Sequence, residues 1–139
     1  MAARHPDDPL ALLALGHAEL HFGDPAAAEA PLQRLLALQP DHVEGLQYLA
    51  RARMEAIEEV EDPDEIDRLT AEARGFLARA HRLDDLNYIT LMLAARNRRP
   101  ASSYPNDNDI AVLEQAFALA PQLGEARFTL AQALLSRSR

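Results

Sequence analysis

A stop-and-restart signal recurs along this chain at a spacing that constrains it more than any other feature. Pro40 lies 34 residues after Pro6, and each is followed by an aspartate. Between them, Phe22-Gly23-Asp24-Pro25 interrupts an otherwise helical run. Glycine suits the left-handed end of a helix, so Gly23 is expected to close the first one. Asp24 is placed to cap the next, with Pro25 in its first turn. Upstream, Asp7-Asp8-Pro9 has the same form. Leu10, Leu13, Ala14 and His17 follow helical spacing in the first helix, beside Leu12, Leu15 and Gly16; Ala28, Leu32, Leu35 and Leu38 do so in the second. Two helices joined by a tight turn form a helical hairpin. A fixed period of this length marks a repeat architecture, in which each unit buries its apolar face against its neighbours.

The pattern returns twice. Asp41 is expected to cap a helix carrying Val43, Leu46, Leu49 and Ala50, with Glu44 completing a capping box. Ala73, Leu77, Ala80 and Leu83 then repeat the Ala28 series. A third pass reads Leu91, Ala94 and Ala95, then Leu113, Ala116, Leu119 and Pro121, and a last helix runs through Phe128 and Leu130 to Leu135. The spacing widens to 45 residues between Pro40 and Asp85, an insertion of 11 in the second hairpin. That insertion carries Glu55, Glu58, Glu59, Glu61, Asp62, Asp64, Glu65 and Asp67. Two lengthened helices meeting near Asp62 would project as an acidic knob, Asp62-Pro63-Asp64-Glu65 opening the second of them. A smaller insertion falls in the loop from Pro100 to Asp107. Residues up to Pro6 read as the tail of a preceding second helix.

Leu12, Leu15, Gly16, Ala28, Leu32 and Pro40 together resemble the tetratricopeptide repeat family. Its 34-residue helix-turn-helix unit has a large residue and a Leu-Gly pair in the first helix, Ala, a bulky residue and Ala in the second, and a closing Pro. Later units keep the apolar frame but use Ala50 and Ala95 where the family often has Gly, and Leu or Arg fill most aromatic places. The resemblance implies an all-α, right-handed superhelical solenoid: repeats over about 9–42, 43–87 and 88–123, and a terminal helix over 124–136. It also implies a protein- or peptide-binding scaffold, one domain that is not an enzyme.

Composition agrees with helices and narrows the partners. Hydrophobic content is 48% with aromatics at 5% and no Trp, so the apolar mass is helix-forming Ala and Leu. A net charge of -8 repels phosphate backbones, which argues against nucleic acid. No apolar run is long enough to span a bilayer, and no apolar leader opens the chain, so a cytoplasmic location without membrane contact is expected. Cysteine is absent, which removes disulfides and thiolate metal sites.

Little in the chain resembles chemistry. His17 and His21 stand at i and i+4, yet no third ligand is recognisable, and a catalytic zinc takes three. The serines lie in a loop and a tail with no glycine-flanked elbow, and the glycines are isolated. No metal, cofactor or catalytic residue is therefore expected. Arg96-Asn97-Arg98-Arg99 is the one basic cluster, and cations at a helix C-terminus complement its dipole.

In the family, first helices line a concave groove. The resemblance places Leu13, His17, Leu20 and His21 there from the first repeat, Gln47, Arg51 and Met54 from the second, Met92, Arg96 and Arg99 from the third, and Phe128 and Gln132 from the last helix. Apolar anchors beside a line of Arg fit an acidic, partly apolar peptide. The family's carboxylate clamp of Lys and Asn is absent, since Leu13 and His17 hold the first repeat's places. Two competing readings remain: Arg51 pairs with Glu55 on its own helix, and Met54 and Met92 belong to the core. An alternative function is a structural or oligomerising segment of a larger bacterial-type protein whose catalytic domain lies elsewhere. Phe128, Leu130, Leu134 and Leu135 make the last helix apolar on more than one side, which fits excision from a longer array or a homodimer through that helix.

Overall fold

The computed structural model describes residues 7–138, and the expected tail helix before Pro6 lies outside them. Every regular element among the described residues is helical: α1 (Pro9–Phe22), a 3-10 turn (Pro25–Ala28), α2 (Glu29–Leu38), α3 (Val43–Ile57), α4 (Pro63–Leu83), α5 (Tyr88–Arg98), α6 (Asp107–Leu119) and α7 (Gly124–Arg137). They fall into two compact units, one ending at Leu83 and the other starting at Asp84.

In the first unit the caps follow the sequence with two differences. Asp8 accepts a hydrogen bond from the Leu10 amide at 3.1 Å, and Asp24 accepts one from the Ala26 amide at 3.0 Å. Gly23 does not adopt the left-handed conformation, having φ of -128°. Instead its amide donates to the Glu19 carbonyl, and the Glu19 carboxylate accepts from the Asp24 amide. At α3 the cap is His42 rather than Asp41: Nδ1 of the imidazole accepts from the Gly45 amide at 3.0 Å. The bond reaches the third helical residue, as a cap requires.

The core stripe of α1 is Leu12, Gly16 and Leu20, while Leu10 and Leu15 are exposed. Gly16 lets α2 approach, since a Cβ built there would sit 2.6 Å from Cγ and Cδ2 of the fully buried Leu32. Leu32, Leu35, Leu46 and Leu49 fill the same core, closed on its far side by Ala80. Leu38 and Leu83 are exposed, against the expected pattern. Each stands ten residues beyond the alanine that starts its series. At about 100° per residue that turns it roughly 80° off the buried stripe.

The 11-residue insertion lengthens only one helix. Helix α3 has 15 residues, close to the 14 of α1, whereas α4 has 21. The residue before a proline is disfavoured in helical geometry, which keeps Asp62 outside α4, and its side chain accepts from the Asp64 amide at 3.2 Å. Arg53 ties α3 to both neighbours: it pairs with Glu29 of α2 and Glu72 of α4, with its guanidinium 5.5 Å from the Phe76 ring centre.

In the second unit α5, α6 and α7 bury Ala95, Ile110, Leu113, Leu130 and Ala133, with Met92 and Phe117 against them. The loop between α5 and α6 is held by a fork. Arg98 donates through Nε and Nη2 to the two carboxylate oxygens of Asp109, both at 2.9 Å. Asp109 also closes a capping box with Asn106. Arg98 thus spends its charge on the fold, more specifically than a helix-dipole contact would.

Candidate binding surface

On the first unit the side chains of α1 and α3 form a file of rings. The Phe22 and His21 ring centres are 6.0 Å apart, those of His21 and His17 4.2 Å, and those of His17 and Tyr48 5.3 Å. The Arg51 guanidinium then lies 6.0 Å from the Tyr48 centroid, within the reach of a cation–π contact. Spacing of four residues stacks His17 over His21 on α1, and three residues bring Tyr48 and Arg51 together on α3. Phe22 ends α1 with 90% of its surface open to solvent. Burial first, and then the charge of Glu44, push the Tyr48 phenol above its usual range, with Arg51 opposing. The hydroxyl therefore stays protonated at neutral pH and is available as a donor.

The expected groove residues divide by accessibility. His17 is half-buried, and His21, Arg96, Arg99, Phe128 and Gln132 are exposed. Arg51 is partly accessible and lies 3.6 Å from Glu55, so the same-helix pairing is present. Leu20, Gln47 and Met54 are buried, and Leu13 and Met92 pack against the cores of their own units. These five side chains contribute to packing. Phe22 and Tyr48, the latter also packed in part against the core, extend the ring file and had no place in the sequence expectation. Tyr48 sits one residue from Gln47 in a regular helix, and its neighbourhood depends on how α3 lies against α1. Among the described residues no three His, Cys, Asp or Glu side chains converge on a metal-sized site. Among them, too, no helix is long and apolar enough to cross a membrane.

Residues 9–52 match the tetratricopeptide repeat family model. The fold is similar to that of TTC0263, a thermophilic TPR protein of Thermus thermophilus, with a TM-score of 0.86 and 25% identity over 99% of this chain and 70% of that one. The family match covers the first hairpin and most of α3, and the fold of the chain is similar to that of a solved tetratricopeptide repeat protein. MamA has a similar fold, with a TM-score of 0.77 and 18% identity over 99% of this chain and 72% of that one. A search against curated protein sequences returns no match. The all-α tetratricopeptide fold is thus as the sequence resemblance implied, and it is a fold generally used as a protein-interaction scaffold.

Proposed function

We propose that this chain is a non-catalytic cytoplasmic scaffold that holds an acidic, partly apolar peptide segment of another protein. In this reading residues 9–42, 43–87 and 88–123 act as repeats of one domain and 124–136 as its closing helix. The file Phe22–His21–His17–Tyr48–Arg51 carries the reading. Exposed rings offer flat apolar area at low entropic cost, and their edges and the Tyr48 hydroxyl supply donors for carboxylates. Arg96 and Arg99 give the second unit two exposed cations, with no ion-pair partner among the described residues. The net charge of -8 disfavours nucleic acid as the partner.

Peptide display on the immobilised chain tests this. Selected peptides are expected to be enriched in Asp or Glu beside Leu, Phe or Pro. The Tyr48→Ala, His17→Ala variant should bind them about tenfold more weakly, since loss of a central aromatic anchor costs more than about 1 kcal/mol. Equal binding by native and variant chains would remove the ring file from the function.

Association through α7 is a second reading. Phe128, Leu134 and Leu135 leave 63%, 47% and 60% of their surfaces exposed on that helix. Sedimentation should then show a dimer for the native chain and a monomer for Phe128→Glu. A native monomer at all concentrations rejects this reading.

A further inference from the structure

A cleft of about 560 Å³ opens in the first unit among the 3-10 turn, α3 and the N-terminal half of α4. Its far wall is made by Val60, within the insertion, and by Arg68, Leu69 and Glu72 in the early turns of the lengthened α4. The cleft meets the ring file at one point, where Glu55 of the cleft pairs with Arg51.

The lining has two parts. Ala52, Ala56, Val60 and Leu69 give it an apolar portion. Around this stand five carboxylates, from Asp24, Glu29, Glu55, Glu59 and Glu72, against two guanidiniums, from Arg53 and Arg68. Both guanidiniums are engaged: Arg53 between Glu29 and Glu72, and Arg68 between Glu65 and Glu72. The charge left over is negative and is carried by Asp24, Glu55 and Glu59. Glu55 meets only Arg51, at 3.6 Å, and Glu59 has no cationic partner among the described residues. Arg53 shows how this wall accommodates a basic side chain, with its stem covered, its head between two carboxylates and 16% of it exposed.

We propose that this cleft is a second docking surface, which receives an Arg- or Lys-bearing peptide segment of a partner protein. The aliphatic stem of such a side chain lies along the apolar portion while its cationic head meets Glu55 and Glu59. Charge complementarity selects the occupant. An acidic or neutral segment would leave the excess carboxylates facing like charge or no partner, whereas a basic one neutralises them. The apolar lining distinguishes a peptide from a simple polycation, because it adds burial that a charge alone does not use. The chain would therefore hold segments of opposite charge at two neighbouring places, on either side of the Arg51–Glu55 pair.

The test is fluorescence anisotropy with a labelled decapeptide carrying two Arg and two Leu in an Ala background. Its counterparts carry Glu in place of Arg, or Ala in place of Leu. The basic peptide should bind, the acidic one should not, and the Leu-free one should bind more weakly. Glu55→Gln, Glu59→Gln together should weaken the basic peptide by about tenfold, as loss of rim charges does. Glu114→Gln, Glu125→Gln removes two exposed carboxylates of the second unit and should leave binding within twofold or so. Val60→Arg, which places a cation in the cleft without removing a carboxylate, should also compete the peptide away. Thermal unfolding of each variant confirms that it folds. Equal loss in the Glu114, Glu125 variant would show attraction to net charge and overturn the site. So would full binding by Val60→Arg. Displacement of the peptide by spermidine at equal charge concentration, with no effect of the Leu residues, would reassign the cleft to small polycations and overturn the peptide occupant.

Discussion

Asp109→Ala is expected to destabilise the second unit by about 3 kcal/mol, the scale for breaking a buried, hydrogen-bonded ion pair. Only 4% of Asp109 is exposed, and its carboxylate accepts two hydrogen bonds from Arg98 and one from the Asn106 amide. Arg98 remains about one third open to solvent, so its charge recovers water and the cost stays at the lower end of that range. The helix cap goes with the pair, because the Asp109 side chain is half of the capping box. Urea unfolding followed by circular dichroism should show the loss, and hydrogen exchange should localise it to α5 and α6. A midpoint unchanged from the native chain would contradict the role assigned to the fork.

The same carboxylate predicts a pH dependence. Hydrogen bonds from Arg98 hold the Asp109 carboxyl below its usual range, against the opposing effect of burial. A carboxyl with a depressed folded value stabilises fully above the unfolded value of about 3.9 and loses that contribution as the pH falls through the folded value. Stability of the native chain should therefore drop on acidification through this window. Asp109→Asn should be weaker at neutral pH and flatter across the same window.

These features were legible in the sequence to different degrees. Asp8, Asp24 and the apolar stripe Ala28–Leu32–Leu35 behave as their types and spacing require, because capping and helical periodicity act within a few residues. The cap at His42 was harder to read. Asp41 and His42 both carry an acceptor near the helix start, and one residue of register decides which reaches the Gly45 amide. The insertion was visible as a change of period, yet its effect on α4 alone depended on where Asp62-Pro63 breaks the acidic run. For the binding surface, His17 over His21 followed from their spacing. Tyr48 joined them only through the packing of α1 on α3, which no local pattern records. Leu20 and Met54 satisfy a groove position and a core position equally well by type, and burial places them in the latter.

Gly16→Val is expected to lower stability by about 3 kcal/mol, because overpacking a closed core costs about that much. The decision lies between two opposing effects. Removing a glycine from the middle of a helix ordinarily helps, by up to about 1 kcal/mol for alanine and less for a β-branched residue. At Gly16 even the first added carbon would lie 2.6 Å from two atoms of Leu32, a side chain with no exposed surface. The helices α1 and α2 must then separate, and the contacts of Leu35, Leu12 and Leu46 in the same core loosen with them. Gly75 supplies the control, since a Cβ there meets nothing within 4 Å. Gly75→Ala should raise stability by about 0.5–1 kcal/mol through helix propensity alone. Opposite signs for the two glycines, measured by urea unfolding in one background, would assign the cost at Gly16 to the α1–α2 approach. A stabilised Gly16→Ala variant would show that Leu32 can yield, and that the close crossing is not what holds this hairpin shut.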